Sequence, residues 1–289
     1  MRNVTIVLTF FGLWLSTQLS STIQDYVAYG LILTFGILHG ANDIAIMSSL
    51  TKGKGPLKKH ITPYLVAILL VSILFFMSKG IALLFFILIS AYHFGEQHFS
   101  DNLKRDSASI PFLYFFYGII ILFMIFTIRL NEVIFVVKDI AGWTLERNVV
   151  LGVLIVASVI TMALGFLLRK EGALKVSPVK EFFYLLVLGI VFAKASLVWG
   201  FAIYFIFWHS LPSIKDQLIF LYGKANKNNL MTYVKASVLY WSISIIGLFL
   251  LYVILRDKVE YFITVVLYVL AAITFPHVLV MAKVETAKK

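Results

Sequence analysis

The chain has 289 residues, of which 61% are hydrophobic and only 13% are charged. Ordinary soluble domains are about 45–50% apolar and about 25% charged, so this composition excludes a water-soluble globule and indicates a protein whose solvent is the lipid bilayer. The formal net charge of +11 does not indicate a nucleic-acid partner, because the basic residues lie in short clusters between apolar runs, which is typical of cytoplasmic loops.

The apolar runs have the length of membrane-spanning helices. A helix needs about 20 apolar residues to cross the hydrocarbon core, and only helices or closed barrels satisfy the backbone there. The sequence therefore predicts an all-α, polytopic transmembrane helix bundle of about 8–10 helices. The predicted runs, in chain order, are 3–20, 27–49, 61–78, 81–99, 111–128, 148–168, 182–199, 200–221, 236–255 and 260–282.

The loops between these runs predict an orientation. Lysine and arginine residues in short loops are found mainly on the cytoplasmic side of the membrane. If the chain begins inside, the basic loop Lys52–Lys59 and most other basic clusters also lie inside. We predict a multi-pass protein of the cell (plasma) membrane with both termini cytoplasmic. The run 3–20 lacks a clear small-residue cleavage site and is kept as a helix, and segment 129–147 is predicted to be an interfacial or re-entrant piece.

Four of the six histidines lie well inside predicted helices: His39, His93, His209 and His277. Ionisable groups at membrane depth cost several kcal/mol, so they usually have partners or a function. Counted at 1.5 Å per residue, the first three fall within about 5 Å of one another in depth, and His277 lies somewhat deeper. A single buried histidine is usually a hydrogen-bonding group between helices, but four in one layer favour a shared metal site. The chain has no cysteine, so any metal would have nitrogen and oxygen ligands.

Three of these histidines are followed by a polar residue one helical turn later, where side chains at i and i+4 can touch. These residues are Asp43, Gln97 and Ser213. A metal-bound imidazole needs its second ring nitrogen held by a carboxylate or carbonyl, and this makes Asp43 the best candidate for that supporting role.

The residues alone leave the metal and the chemistry open. Imidazole sites suit zinc, copper and iron. A water-poor site in a chain with 26 Phe, 14 Tyr and 5 Trp favours an apolar substrate and activation of O2, for which iron is the natural choice. The aromatic residues before His209 are either packing residues or the wall of a substrate groove, and the candidates for substrate contact are Trp199, Tyr204, Phe205 and Trp208.

Other classes of membrane protein are compatible with intramembrane histidines. A proton-coupled or metal-coupled transporter also places His, Asp and Glu along its ion path. A lipid hydroxylase or desaturase usually carries its histidines in cytosolic loops, which the depth of His39 and His209 disfavours. A haem-binding bundle is a further alternative.

The histidine-containing strings resemble a known family in their order and spacing. Over nearly the whole chain, the sequence resembles the Brp/Blh family of microbial membrane carotenoid oxygenases, through His39-Gly40-Ala41-Asn42-Asp43, Tyr92-His93-Phe94-Gly95-Glu96, Trp208-His209-Ser210-Leu211-Pro212 and Pro276-His277. The resemblance implies a single transmembrane catalytic domain over residues 1–289 that cleaves β-carotene with O2 at its central 15,15′ double bond. It further implies two molecules of all-trans-retinal as product, a histidine-bound Fe(2+) as cofactor, and a microbial rhodopsin as the protein that receives the retinal.

Carried over residue by residue, His39, His93 and His209 match the ligand histidines of that family, and Asp43 matches the acidic end of the first motif. Family members often have a second histidine one turn after the one matching His209, and here that position is Ser213. A fourth ligand must then come from His277 or His98, or the site has three histidines and more open positions. Helix depth favours His277, with His98 as the second choice.

Overall fold

The protein is described by a computed structural model that covers residues 2–51, 58–257 and 262–288. Over these ranges the regular structure is helical, as predicted, and Leu103 and Leu174 form an isolated β-bridge. Two π-helical segments, Ile32–Gly36 and Tyr204–Ser210, interrupt the α-helices. The α-helices are α1 (Arg2–Gln18), α2 (Ser21–Leu31), α3 (Ile37–Gly40), α4 (Asp43–Leu50), α5 (Lys58–Met77), α6 (Lys79–Phe99), α7 (Ile110–Ile128), α8 (Leu130–Ala141), α9 (Arg147–Lys170), α10 (Pro178–Lys194), α11 (Leu197–Ile203), α12 (Leu211–Tyr222), α13 (Lys227–Leu255) and α14 (Phe262–Lys288).

Eight helical stretches within the described ranges are long and apolar enough to cross a membrane, and each coincides with one of the predicted runs. They are Ser21–Leu50, Lys58–Met77, Lys79–Asn102, Ile110–Ile128, Arg147–Lys170, Leu197–Tyr222, Lys227–Leu255 and Phe262–Ala287. The first and seventh predicted runs form α1 and α10, which have 17 residues each. The chain is therefore a helical membrane protein, as its composition predicts.

The boundary predicted between the runs 182–199 and 200–221 lies a few residues too far along the chain. Helix α10 ends at Lys194, Ala195 and Ser196 are extended, and a new helix begins at Leu197. The Ser196 hydroxyl accepts a hydrogen bond from the backbone N–H of Trp199 at 3.2 Å, which caps the new helix. Apolar residues lie on both sides of this point, so hydropathy locates the break only approximately.

Two other predictions concern loops. Segment 129–147 contains the helix α8, and its interfacial position stays a prediction. Residues 52–57 of the basic loop lie outside the described residues, as do residues 258–261, which include the first two residues of the tenth predicted run.

Backbone packing divides the described residues into two compact units. The first unit is made from Met1–Leu31, Ile87–Phe135 and Thr144–His209, and the second from Ile32–Phe86, Val136–Trp143 and Ser210–Lys289. The single-domain organisation over residues 1–289 stays a prediction.

In the first unit, α6 and α7 approach each other at their backbones. A Cβ atom added to Gly95 would lie 1.9 Å from the carbonyl oxygen of Tyr114, and one added to Gly118 would lie 1.7 Å from that of Ala91. Only glycine permits such an approach, which is a common device where helices pack in membranes. The contact fixes the segment of α6 that carries His93.

In the second unit, the helix that carries His39 is broken just after it. Helix α3 ends at Gly40, Asn42 has φ −97° and ψ 8°, and α4 begins at Asp43. Helix α14, which continues through Pro276, lies beside this break, since a Cβ added to Gly40 would be 3.5 Å from Ile273.

Candidate metal centre

The second unit brings two histidines together. His39 lies at the end of α3, immediately after the first π-helical segment, and His277 lies in α14. The two side chains are buried, and their ring centroids are 4.6 Å apart with an edge-to-face angle of 86°. π-helical segments are rare and are often found at functional sites.

The Nδ1 atoms of both rings have identifiable acceptors. Nδ1 of His39 lies 2.6 Å from the carbonyl oxygen of Gly36, and Nδ1 of His277 lies 2.8 Å from Oδ1 of Asp43. A carbonyl or an ionised carboxylate can only accept, so Nδ1 carries the hydrogen in each ring. In a neutral imidazole the lone pair is then on Nε2, which is the arrangement that suits metal binding.

Asp43 is held through both of its oxygens. The carboxylate is 1% exposed, and its Oδ2 accepts a hydrogen bond from the hydroxyl of Tyr64 at 3.0 Å. The sequence suggested Asp43 as a supporting residue because it follows His39 by one turn. The structure adds the bond to His277, which the i to i+4 rule did not foresee because the helix breaks at Ala41–Asn42. Tyr64 was not identified from the sequence, since its role depends on the packing of α5.

The first unit brings together a second histidine pair. His93 in α6 and His209 in the second π-helical segment are 2% and 1% exposed, and their ring centroids are 4.7 Å apart. Oε2 of Glu96 lies 3.6 Å from Nδ1 of His93. Glu96 was missed by the i to i+4 rule, which selected Gln97, although i to i+3 neighbours also share a helix face. Gln97 is partly buried.

Aromatic side chains surround the first-unit pair. The ring of Phe205 stacks on His209 at 5.7 Å, and Phe94 lies 4.8 Å from His209 and 5.3 Å from Tyr204. Tyr204 and Phe205, two of the four candidates for substrate contact, therefore line the apolar surroundings of this pair.

The other two candidates for substrate contact are hydrogen-bonded to α1. The indole N–H of Trp199 donates to the carbonyl of Gly12 at 3.1 Å, and that of Trp208 donates to the hydroxyl of Thr9 at 2.9 Å. These bonds give both tryptophans a packing role in the first unit.

His98, the alternative ligand, has a different environment. Its Nε2 lies 2.7 Å from Oε2 of Glu181, whose other oxygen accepts from Arg2 at 3.1 Å. The ring also stacks on Tyr117 at 4.5 Å. These contacts make His98 part of a buried ionic cluster that joins α1, α6 and α10.

Ser213, which stands where the resembling family often has histidine, is completely buried in α12. Its hydroxyl accepts a hydrogen bond from the side-chain amide of Gln217 at 3.2 Å, so this position belongs to a neutral polar network in the second unit.

The fold and the buried side chains define a class: a polytopic helical membrane protein that carries a set of buried imidazoles. A comparison with protein-family models identifies the family. The model described as Beta-carotene 15,15′-dioxygenase matches residues 30–285, and the chain belongs to this family. Searches of curated proteins and of solved structures found no match.

Family membership confirms the resemblance stated from the motifs and the assignment as an enzyme of the β-carotene 15,15′-dioxygenase class. Membership of an enzyme family disfavours the transporter alternative.

Proposed function

We propose that this chain cleaves β-carotene at the central 15,15′ double bond, with O2, into two molecules of all-trans-retinal at a histidine-ligated non-haem iron inside the membrane. The observation that carries the proposal is the pair of second-unit imidazoles whose Nδ1 atoms are held by Gly36 and Asp43, because this leaves Nε2 as the donor atom in both rings. The family match supports the reaction.

The proposed ligands are His39, His93, His209 and His277. The first three are buried histidines whose ring nitrogens could bind a metal ion, and His277 is buried beside His39. The donor set fits iron, zinc or copper. Zinc has no redox chemistry, so a family that uses O2 favours iron. His98 is not favoured as the fourth ligand, because its Nε2 already faces Glu181 at 2.7 Å.

The reaction balances without a further reductant. One carbon–carbon double bond breaks, two carbon–oxygen double bonds form, and the two oxygen atoms of O2 appear in the two aldehydes. When bound, iron would supply the place where O2 is held and the electron exchange that the oxygenation needs.

The residues of the chain then have positioning and protective roles. Asp43 orients His277, and the carbonyl of Gly36 orients His39. Phe94 and Phe205 cover His209 with apolar surface, which limits the access of water to a reactive centre.

The substrate is an extended apolar polyene, and we propose that it enters from the lipid between helices. Tyr204 and Phe205 are the proposed substrate contacts, because they belong to the aromatic surroundings of His209. Trp199 and Trp208 would act through packing of the helix that carries these side chains. The position of the cut would be set by how far the polyene reaches past the metal.

The cellular setting is also part of the proposal. We place the protein in the plasma membrane with both termini in the cytoplasm, on the distribution of its basic residues. Retinal released into the bilayer would pass to a microbial rhodopsin, which requires it as a chromophore.

The test is expression in a bacterium that accumulates β-carotene, followed by extraction of the pigments. We expect loss of orange colour and formation of retinal, with oxygen atoms from labelled O2 in the aldehyde. Cells that express the His93→Ala variant serve as the matched control and should stay orange. Unchanged carotene with the wild-type chain would contradict the proposal, and longer apocarotenals would contradict the central position of the cut.

A further inference from the structure

The break between α3 and α4 separates His39 from Asp43. The N–H of Ala41 bonds to the carbonyl of Leu38 at 3.2 Å, and helical geometry resumes only at Asp43. The last carbonyls of a helix need hydrogen-bond donors from outside it when the chain stops being helical. How the carbonyl of His39 is satisfied therefore bears on how firmly its backbone is fixed.

The side chain of Gln217 supplies that partner from α12. Its Nε2 donates to the carbonyl of His39 at 2.9 Å and to the hydroxyl of Ser213 at 3.2 Å, while its Oε1 accepts from the hydroxyl of Tyr233 at 2.7 Å. The carbonyl of His39 can only accept, so the nitrogen end of the amide must face it. The Tyr233 hydroxyl then completes the network by donating to the oxygen end.

The other side of the break is held by the same turn of α13. The amide of Asn42 donates to the backbone carbonyl of Tyr233 at 3.2 Å and to the hydroxyl of Ser237, which itself donates to the carbonyl of Tyr233 at 2.8 Å. Tyr233 and Ser237 are four residues apart and so share one helix face. One turn of α13 therefore braces the residues on both sides of the break.

The network is neutral and buried. Gln217, Tyr233, Ser213 and Ser237 are each 0% exposed, and Asn42 is 1% exposed. Leaving a buried polar group unsatisfied costs about 1–3 kcal/mol, so these groups can be accommodated only when they are bonded to one another. Apolar side chains could fill the same space without the cost of an unsatisfied polar group. This indicates that the hydrogen bonds have a role beyond packing.

The geometry points to Gln217 and Tyr233 as positioning residues for the metal centre, which fix the backbone of His39 while the carbonyl of Gly36 fixes its ring. This inference rests on the proposed function in one respect, that His39 is a metal ligand. The same brace also sets the angle between α3 and α4, on which the approach of Asp43 to His277 depends. A ligand backbone held at two points loses less freedom when the metal binds, so the site is preorganised.

The test uses two volume-conserving variants of the full-length protein in detergent. Tyr233→Phe removes one hydroxyl, and Gln217→Met removes both polar atoms from an unbranched side chain of similar size. The matched control is Tyr268→Phe in the same unit, because the hydroxyl of Tyr268 has no hydrogen-bond partner among the described residues. Each protein is titrated with Fe(2+) for affinity, examined by electron paramagnetic resonance of the nitric oxide adduct of the iron, and melted without metal.

We expect Tyr233→Phe and Gln217→Met to fold and to bind iron about 10-fold to 100-fold more weakly, the range typical for residues that support a ligand. The resonance spectrum should change in both variants and stay unchanged in Tyr268→Phe. In the turnover of carotene, kcat should fall more than KM rises, because the substrate contacts are intact.

Iron affinity and spectra equal to the wild type in both variants would overturn the inference and leave the proposed function standing. Unfolding of both variants without metal would also overturn it, because the network would then be a folding element. Absence of iron binding by the wild-type protein would defeat the proposed function, and this inference with it.

Discussion

Nδ1 of His277 and Oδ1 of Asp43 lie 2.8 Å apart, although 234 residues separate them in the sequence. Both side chains are buried, and the carboxylate is held on its other oxygen by the hydroxyl of Tyr64. A carboxylate that accepts from Nδ1 fixes the tautomer and raises the basicity of Nε2. This pair connects α4 to α14 and is the strongest support for His277 as a ligand.

The first prediction concerns the charge of this carboxylate. Asp43→Asn keeps an oxygen that can accept from Nδ1 of His277 but removes the negative charge. We expect iron affinity to fall by roughly 10-fold to 100-fold, with a parallel loss of retinal formation. Metal titration of the purified protein measures the first effect, and Asp101→Asn, at an exposed position, is the control. Wild-type iron affinity in Asp43→Asn would contradict this role.

The second prediction concerns the histidine pair of the first unit. His93→Ala and His209→Ala each remove a buried imidazole from a pair whose ring centroids are 4.7 Å apart. Both variants should lose bound iron and retinal formation, measured by metal analysis and by pigment extraction. His60→Ala is the matched control, because His60 is equally buried but lies against Thr51. A variant that keeps both iron and activity would remove that histidine from the ligand set.

The third prediction separates His98 from the metal ligands. His98→Ala removes the partner of Glu181 from a buried cluster that also contains Arg2. We expect the variant to bind iron as the wild type does, but to be less stable by about 1–3 kcal/mol because a buried acceptor loses its donor. Thermal unfolding in detergent and metal titration give the two quantities. Loss of iron in a folded His98→Ala protein would return His98 to the ligand set.

The sequence predicted the helices better than the details of their ends. Hydropathy located the eight candidate spans, because burying apolar length is the main requirement of the bilayer. It placed the interruption at Ser196 a few residues too late and did not find the π-helical segment Tyr204–Ser210, since an added residue or a cap hardly changes the apolar content. The available signal for the interruption was Ser196 itself, because serine is a preferred N-cap residue.

The residues of the proposed site were selected from the sequence, but their pairings could not be. Helical depth selected His39, His93, His209 and His277, yet depth does not determine which helix faces which. That Asp43 would bond to His277, and Glu96 would lie near His93, depends on helix rotation and on the break after His39. The hydrogen bonds of Gln217 and Tyr233 could not be predicted either, because they depend on the tertiary packing of α12 and α13.

The last prediction concerns the backbone contact that positions His93. Gly95→Ala places a Cβ atom 1.9 Å from the carbonyl oxygen of Tyr114, which is backbone and cannot rotate away. Helices α6 and α7 must then separate, at a cost of at least about 1–3 kcal/mol, and the segment that carries His93 moves with α6. We expect a lower melting temperature together with weaker iron binding.

The control for this prediction is Gly152→Ala, where an added Cβ meets nothing within 4 Å. The substitution is also in a helix interior, where alanine is favoured over glycine by up to about 1 kcal/mol, so stability should be equal or slightly higher. If Gly95→Ala melted and bound iron like Gly152→Ala, the close approach of α6 and α7 would not be what holds His93 in place.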